Sequence, residues 1–210
     1  MIVIVDYDTG NTKSIRKALD FIGLPNKISS NKKDIKAADG IILPGVGAFP
    51  EAMQELIQRG LDTTLKEVAA TGKPILGVCL GMQLLLDSSN EHRFTKGLGL
   101  IPGQVEKLPN EPKFAVPHMG WNQLNIHQTT PLTTNLEGEY VYYVHSYYAN
   151  CPEKYIIATS SYSVEIPSMI NNGNIYGAQF HPEKSGEIGL RILTGFKEVI
   201  ETCKSSQQST

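Results

Sequence analysis

Cysteine is scarce in this 210-residue chain: Cys79, Cys151 and Cys203 are odd in number, far apart and without a CxxC pair. That excludes a disulfide framework and a thiolate zinc site as the basis of the fold, and it fits a reducing cytoplasm. Surplus charge is missing too. Nineteen Lys and Arg against 21 Asp and Glu give a formal net charge of −2 with no basic cluster, so there is no electrostatic footprint for nucleic acid or an anionic membrane. The longest apolar stretch, about residues 74–86, is broken by glycines and Gln83 and is too short to span a bilayer. The start, "MIVIVDYD", lacks the basic region and cleavage site of a secretory signal. His118 and His145 have no metal-like spacing with each other or with carboxylates and are read as structural, so neither a metal nor a cofactor is expected. A small substrate or a protein partner is left.

What is present is an ordinary globular composition, 40% apolar, on a length that suits one domain with a sizeable core. The domain is expected over 1–204, with the polar 205–210 a frayed tail. "MIVIV" reads as a buried strand, and Ile15, Ala18, Leu19 and Ile22 after it carry helical spacing. "DGIILPG" is a second strand, followed by helical turns at Met53, Leu56 and Ile57 and at Leu61, Leu65 and Val68. "KPILGVC" is a third, running straight into a helix at "LGMQLLLDSS". Strands buried on both faces and alternating with helices predict an α/β fold with a mostly parallel central sheet. Past residue 97 the pattern turns to shorter strand-like runs, "KFAV", "EYVYYVH", "YIIATS" and "NIYGAQF", several of them expected to be antiparallel. A closing helix carries Ile188, Ile192, Leu193, Phe196, Val199 and Ile200, with Ser185 as its cap.

Within "GVCLG", Cys79 falls where a strand meets its helix, at the carboxyl edge where open α/β sheets bind ligands. The pattern is the thiol counterpart of G-x-S-x-G, in which small flanking residues permit a strained turn that exposes a nucleophile. A buried core cysteine is the competing reading of the same residue. In "QFHPEKS", His181 follows another strand, and Glu183, two residues on, can reach the same side and orient the imidazole. Taken alone, that tripeptide reads sooner as a surface turn, and it is the two motifs together that favour a site. Nucleophile, base and orienting carboxylate together make a triad. "PGVGAFP", at 44–50, ends a further strand and can present backbone N–H groups to an oxyanion, with the Leu80 amide as a second donor. Gly45 and Gly47 read alternatively as residues that only shape a loop.

With "GVCLGMQLL" and "HPE" the chain resembles the class I, triad-type glutamine amidotransferases, and the likeness covers nearly its whole length. "PGVGAFP", "PHMGWN", "YYVHSYYA" and "FHPEKS" are closely similar to one group among them, the glutaminase subunits of imidazole glycerol-phosphate synthases. The resemblance implies that the domain over 1–204 is an amidotransferase domain of flavodoxin-like architecture. It implies that Cys79 attacks the side-chain amide of L-glutamine, that His181 protonates the leaving ammonia, and that water releases glutamate from the thioester. It assigns Glu183 to orienting His181, Val46, Gly47 and Leu80 to the oxyanion, and Gln83 with the backbone of Ser146 and Tyr147 to the glutamine head group. It also implies a separate partner chain, a cyclase subunit built as a (β/α)8 barrel, which accepts the ammonia and for which 210 residues leave no room. Trp121, Asn122 and Lys184 are the interface residues it suggests. "KFAVPHMGWN" departs by carrying Ala115 where relatives often have a basic residue. Competing readings are another small amidotransferase subunit, such as that of pyridoxal-phosphate synthase, a cysteine peptidase or γ-glutamyl hydrolase, and a non-catalytic docking module.

Overall fold

The computed structural model describes residues 1–8 and 10–208. The first half of the chain alternates strand and helix: β1 (Ile2–Val5), α1 (Thr12–Phe21), β2 (Asn26–Ser29), α2 (Lys32–Ala37), β3 (Gly40–Leu43), α3 (Phe49–Gln58), α4 (Leu61–Ala70), β4 (Ile75–Val78) and α5 (Leu80–Leu84). The second half is mostly strand: β5 (Ser88–Ser89), β6 (Thr95–Lys96), β7 (Gln104–Lys107), β8 (His118–Gln123), β9 (Asn125–Ile126), β10 (Tyr140–His145), β11 (Tyr147–Asn150), β12 (Ile156–Ser161), β13 (Glu165–Asn172) and β14 (Ile175–Ala178). A long helix, α6 (Gly186–Gln208), closes the chain.

Eight strands form the central sheet in the order β2-β1-β3-β4-β14-β13-β12-β9. The first five are mutually parallel, and the last three add antiparallel pairings at one side. The period-2 rule explains why "MIVIV" needs no polar alternation. Ile2 and Ile4 pack with Ile15 and Leu19 of α1 and Ile192 and Phe196 of α6, while Val3 and Val5 pack on the other face with Met53 and Leu56 of α3 and Leu65 and Val68 of α4. Full burial of each such side chain contributes about 1.5–3 kcal/mol. Beside the carboxyl edge lie two smaller sheets, β10-β8 and β11-β7-β5-β6.

Four adjacent parallel strands, β1, β3, β4 and β14, deliver one functional segment each at their carboxyl ends: Asn11, Val46–Gly47, Cys79 and His181. The mostly parallel α/β architecture is as expected, but several elements differ. The helix after Cys79 stops at Leu84 rather than running to 89, because Leu85 and Leu86 turn into the core and Ser88–Ser89 pairs with β7. "KFAV" is not a strand: Phe114 closes a turn with Glu111, and a cis Val116–Pro117 bond precedes β8. β2 is polar and lies at the sheet edge, so "NKIS" carries little strand signal. β13 contains Pro167, opposite Thr159 where the β12 register shifts, and such an irregularity is where a strand tolerates proline. α6 continues through Ser205 and Ser206, whose hydroxyls donate to the Glu201 and Thr202 carbonyls, to Gln208; 209 and 210 lie outside the described residues.

Candidate active site

Cys79 occupies the junction of β4 and α5 with φ 55° and ψ −113°, a conformation L-residues rarely adopt. Two glycines make it possible. A Cβ on Gly77 would lie 2.6 Å from the Gly81 carbonyl oxygen, and one on Gly81 would lie 1.8 Å from the Leu43 carbonyl oxygen. The strand can therefore fold sharply back only where both side chains are absent. The elbow is tied to the neighbouring strand by the Cys79 N–H, which donates to the Ala178 carbonyl at 2.7 Å. The thiol makes long contacts to the Val144 carbonyl and Gln179 Nε2, each at 3.9 Å, and also faces His181.

His181 lies at the end of the neighbouring β14 segment. Its Nδ1 is 2.8 Å from Glu183 Oε1, and the two side chains are 2% and 1% exposed. A carboxylate can only accept, so the Nδ1 carries a proton and the Nε2 is the nitrogen that faces the chemistry. Burial opposes a charged ring, yet the Cys79 thiol and the Glu183 carboxylate together outweigh it and raise His181 to about 9. The Nε2 has no aligned hydrogen-bond partner among the described residues; the thiol acts on it by proximity. The HPE turn is held by Ser185, whose hydroxyl donates to the His181 carbonyl and accepts the Tyr142 N–H, while the His181 N–H donates to the Tyr142 carbonyl. Ser185 thus stands where the cap of α6 was expected, with its hydroxyl turned to the base instead.

Eight of the nine expected catalytic, oxyanion and substrate residues line one cavity of about 340 Å³: Cys79, His181, Val46, Gly47, Leu80, Gln83, Ser146 and Tyr147. The ninth, Glu183, lies behind His181. Gln83 is buried, with its amide donating to the Tyr147 carbonyl at 2.8 Å and to Gln179 Oε1 at 3.0 Å. As the first residue of α5, Leu80 presents an amide with no intrahelical acceptor. The interface candidates stay outside the cavity. Trp121 is exposed on β8 and packs edge-on against Tyr142, whose backbone meets the HPE turn; Asn122 is half-buried beside it; and Lys184 is exposed next to Glu183.

Three contributors carry no clear sequence signal. Asn11 donates from Nδ2 to Glu183 Oε1 at 2.7 Å; it stands at the N-cap of α1 without capping it, so a residue suited to a cap holds the carboxylate instead. Gln179 reaches the thiol from two positions before His181, a period-2 relation that could have pointed to it. Glu91, buried in the loop after β5, lines the cavity and accepts the Phe49 N–H at 2.8 Å. Among the described residues no cluster of His, Cys, Asp and Glu could hold a metal, and no helix is long and apolar enough to cross a membrane.

A cysteine elbow facing a histidine–carboxylate pair at the carboxyl edge of such a sheet is the arrangement of triad-type amide-cleaving enzymes. The family model "Glutamine amidotransferase class-I" matches residues 3–197, and the chain belongs to that family. Its relatives within the family are more particular. It is 81% identical over 208 residues to the imidazole glycerol phosphate synthase subunit HisH of Listeria monocytogenes (serotype 4a), covering 99% of this chain and 100% of that protein. The HisH subunit of Bacillus cereus is 52% identical over the full length of both. Among solved structures, a glutamine amidotransferase superposes with a TM-score of 0.77 at 17% identity, covering 96% of this chain and 100% of the other. PurLQS from Thermotoga maritima superposes with 0.72 at 20%, covering 94% and 97%. These last two are likenesses of fold.

Proposed function

We propose that this chain is the glutaminase subunit of an imidazole glycerol phosphate synthase, acting in histidine biosynthesis in the cytoplasm. Its substrate is L-glutamine. The observation that carries the reading is the juxtaposition of the Cys79 elbow with the buried His181–Glu183 pair in one cavity of a size suited to a small metabolite. It is supported by relatives that bear the subunit's name across their whole length.

The steps follow from the residues. Glutamine enters with its side-chain amide toward Cys79, and Glu91 and the Ser146–Tyr147 backbone supply opposite charge and hydrogen bonds for its amino-acid end. With its proton passed to His181 Nε2, the Cys79 sulfur attacks the amide carbon, and the oxygen that becomes negative meets the Leu80 amide and the backbone of Val46 and Gly47. The intermediate collapses as the proton on His181 passes to the leaving nitrogen, releasing ammonia and leaving a thioester on Cys79. Water then gives a proton to His181, attacks the thioester and releases glutamate. Glu183 keeps the ring in the tautomer that presents Nε2, and Asn11 keeps Glu183 in place. Gly47, at φ 99°, has the backbone freedom to let the Val46–Gly47 segment turn its amides toward or away from the oxyanion.

Ammonia set free in water becomes ammonium and is no longer a nucleophile, so the product has value only when handed on. The accepting chain is a separate cyclase subunit, a (β/α)8 barrel, which makes imidazole glycerol phosphate and AICAR. Its docking face includes Trp121, Asn122 and Lys184, which lie outside the cavity on β8 and in the HPE turn. The deciding experiment is glutamate release from glutamine by the chain alone and with the cyclase subunit and its nucleotide substrate. Strong release in the mixture is expected; none in either condition overturns the reading.

A further inference from the structure

His118 and His145, which sequence spacing leaves as unconnected structural residues, are brought together by the β8–β10 pairing. The His118 Nδ1 lies 2.9 Å from the His145 Nε2, and both residues are buried, 3% and 6% exposed. The protons can be placed from one end of the chain of contacts. His145 Nδ1 is 2.9 Å from the Tyr147 carbonyl oxygen, which only accepts, so His145 carries its proton on Nδ1. Its Nε2 is then the acceptor in a neutral ring, and His118 must donate from its own Nδ1. That leaves His118 Nε2 to accept, and Asn122 Nδ2 reaches it at 3.4 Å while also donating to the Ser161 carbonyl at 2.9 Å. The Asn122 amide orientation agrees independently, because its Oδ1 accepts the Gln123 N–H at 2.8 Å. Burial lowers His118 to about 4 and His145 to about 3, in keeping with two neutral rings.

The relay ends on the glutamine-holding segment. The Tyr147 carbonyl that receives His145 also receives the amide of Gln83, and His145 itself lines the cavity. Its middle is braced: the His118 ring is stacked between Tyr143 and Tyr162, at 4.6 and 4.0 Å between centroids, and the Tyr162 hydroxyl donates to the Ala115 carbonyl. Its outer end, Asn122, is tied to the Ser161 carbonyl on the face of β8 that carries His118, opposite the exposed Met119 and Trp121. We propose that His118 is a positioning residue that acts through His145 to hold the Ser146–Tyr147 segment in its glutamine-binding geometry. This rests on the glutaminase reading of the cavity.

The test has two arms. In the isolated chain, two-bond 15N–1H NMR at pH 7 reads which nitrogen carries the proton, with His118→Phe assigning the signals. A proton on Nδ1 of both rings is expected, and a proton on Nε2 of either overturns the proposal. In the complex with the cyclase subunit, His118→Phe keeps the aromatic stack and removes the donor. It should raise the glutamine KM about tenfold, the loss expected when a buried acceptor is left unpaired, with kcat within about twofold. His118→Asn, whose side-chain amide can stand where Nδ1 was, should recover part of that loss. A wild-type complex that releases glutamate, together with a His118→Phe complex of unchanged KM, overturns the relay alone. A wild-type complex that releases none overturns the glutaminase reading, and the tautomer measurement then still decides whether the relay exists.

Discussion

Cys79 is held at positive φ although it is not glycine, and such a conformation costs on the order of 1–3 kcal/mol that the surrounding fold must offset. The strain keeps the thiol at the cavity. Removing the sulfur should therefore separate activity from stability. Cys79→Ala and Cys79→Gly are both expected to abolish glutamate release. The glycine variant should melt roughly 2–4 °C above the alanine one, since relief of about 1 kcal/mol shifts a domain of this size by that much. Calorimetry of the two variants checks it. His181 makes a second prediction. Its pKa is raised in the fold from 6.5 to about 9, so its stabilising interactions with Cys79 and Glu183 are complete below about pH 6.5 and are lost as pH rises through about 9. The difference in melting temperature between wild type and His181→Asn should accordingly shrink between pH 7 and pH 9.5. A gap that stays constant would contradict a charged ring at neutral pH.

The β4–α5 elbow is the element on which the site depends, and it is built from contacts too close for any side chain. A Cβ at Gly81 would stand 1.8 Å from the Leu43 carbonyl oxygen, a backbone atom of the adjacent strand that cannot rotate away. Gly81→Ala is expected to cost about 3 kcal/mol or more, at the upper end of overpacking penalties, and to displace Cys79. A lowered urea midpoint together with lost glutamate release would show this, whereas a fully stable, active variant would mean the strand and helix are not so tightly apposed. The shortness of α5 belongs to the same design. Five residues are enough to turn the chain and place Leu80 and Gln83 on the cavity, after which Leu85 and Leu86 are committed to the core.

At the scale of the whole molecule, four loops from four neighbouring parallel strands converge, and the two smaller sheets wall off one side of the cavity with Pro117 and the 144–147 segment. The face beside it carries Trp121 at 56% exposure and Met119 at 61%, large apolar groups that a lone chain leaves in water. Trp121→Ala should weaken binding of the cyclase subunit by about thirtyfold, the roughly 2 kcal/mol characteristic of a buried interface anchor. The melting temperature of the isolated chain should hardly move, because an exposed side chain takes little from the core. Titration calorimetry with both variants checks the pair. Equal affinity would place the docking face elsewhere.

Much of this was legible along the chain. Short apolar runs located β1, β3, β4 and β14 because those segments are buried on both faces, and "GVCLG" announced its elbow because only glycine tolerates such close backbone approach. His181 and Glu183 are two residues apart, so local geometry alone could pair them. The polar edge strand β2, the proline-bearing β13 and the early end of α5 were not legible, since each depends on a neighbour the chain meets elsewhere. The same holds for the residues that complete the site. Asn11 meets Glu183 across 172 positions, Gln179 meets Cys79 across 100, and His118 meets His145 across 27. The sequence by itself determined the cysteine elbow, the histidine–carboxylate pair and the type of sheet that carries them, because those rest on residue type and short spacing. Which polar side chains support them was decided only by tertiary structure, because a hydrogen bond between distant segments is specified by where the packed core brings them, not by any local pattern.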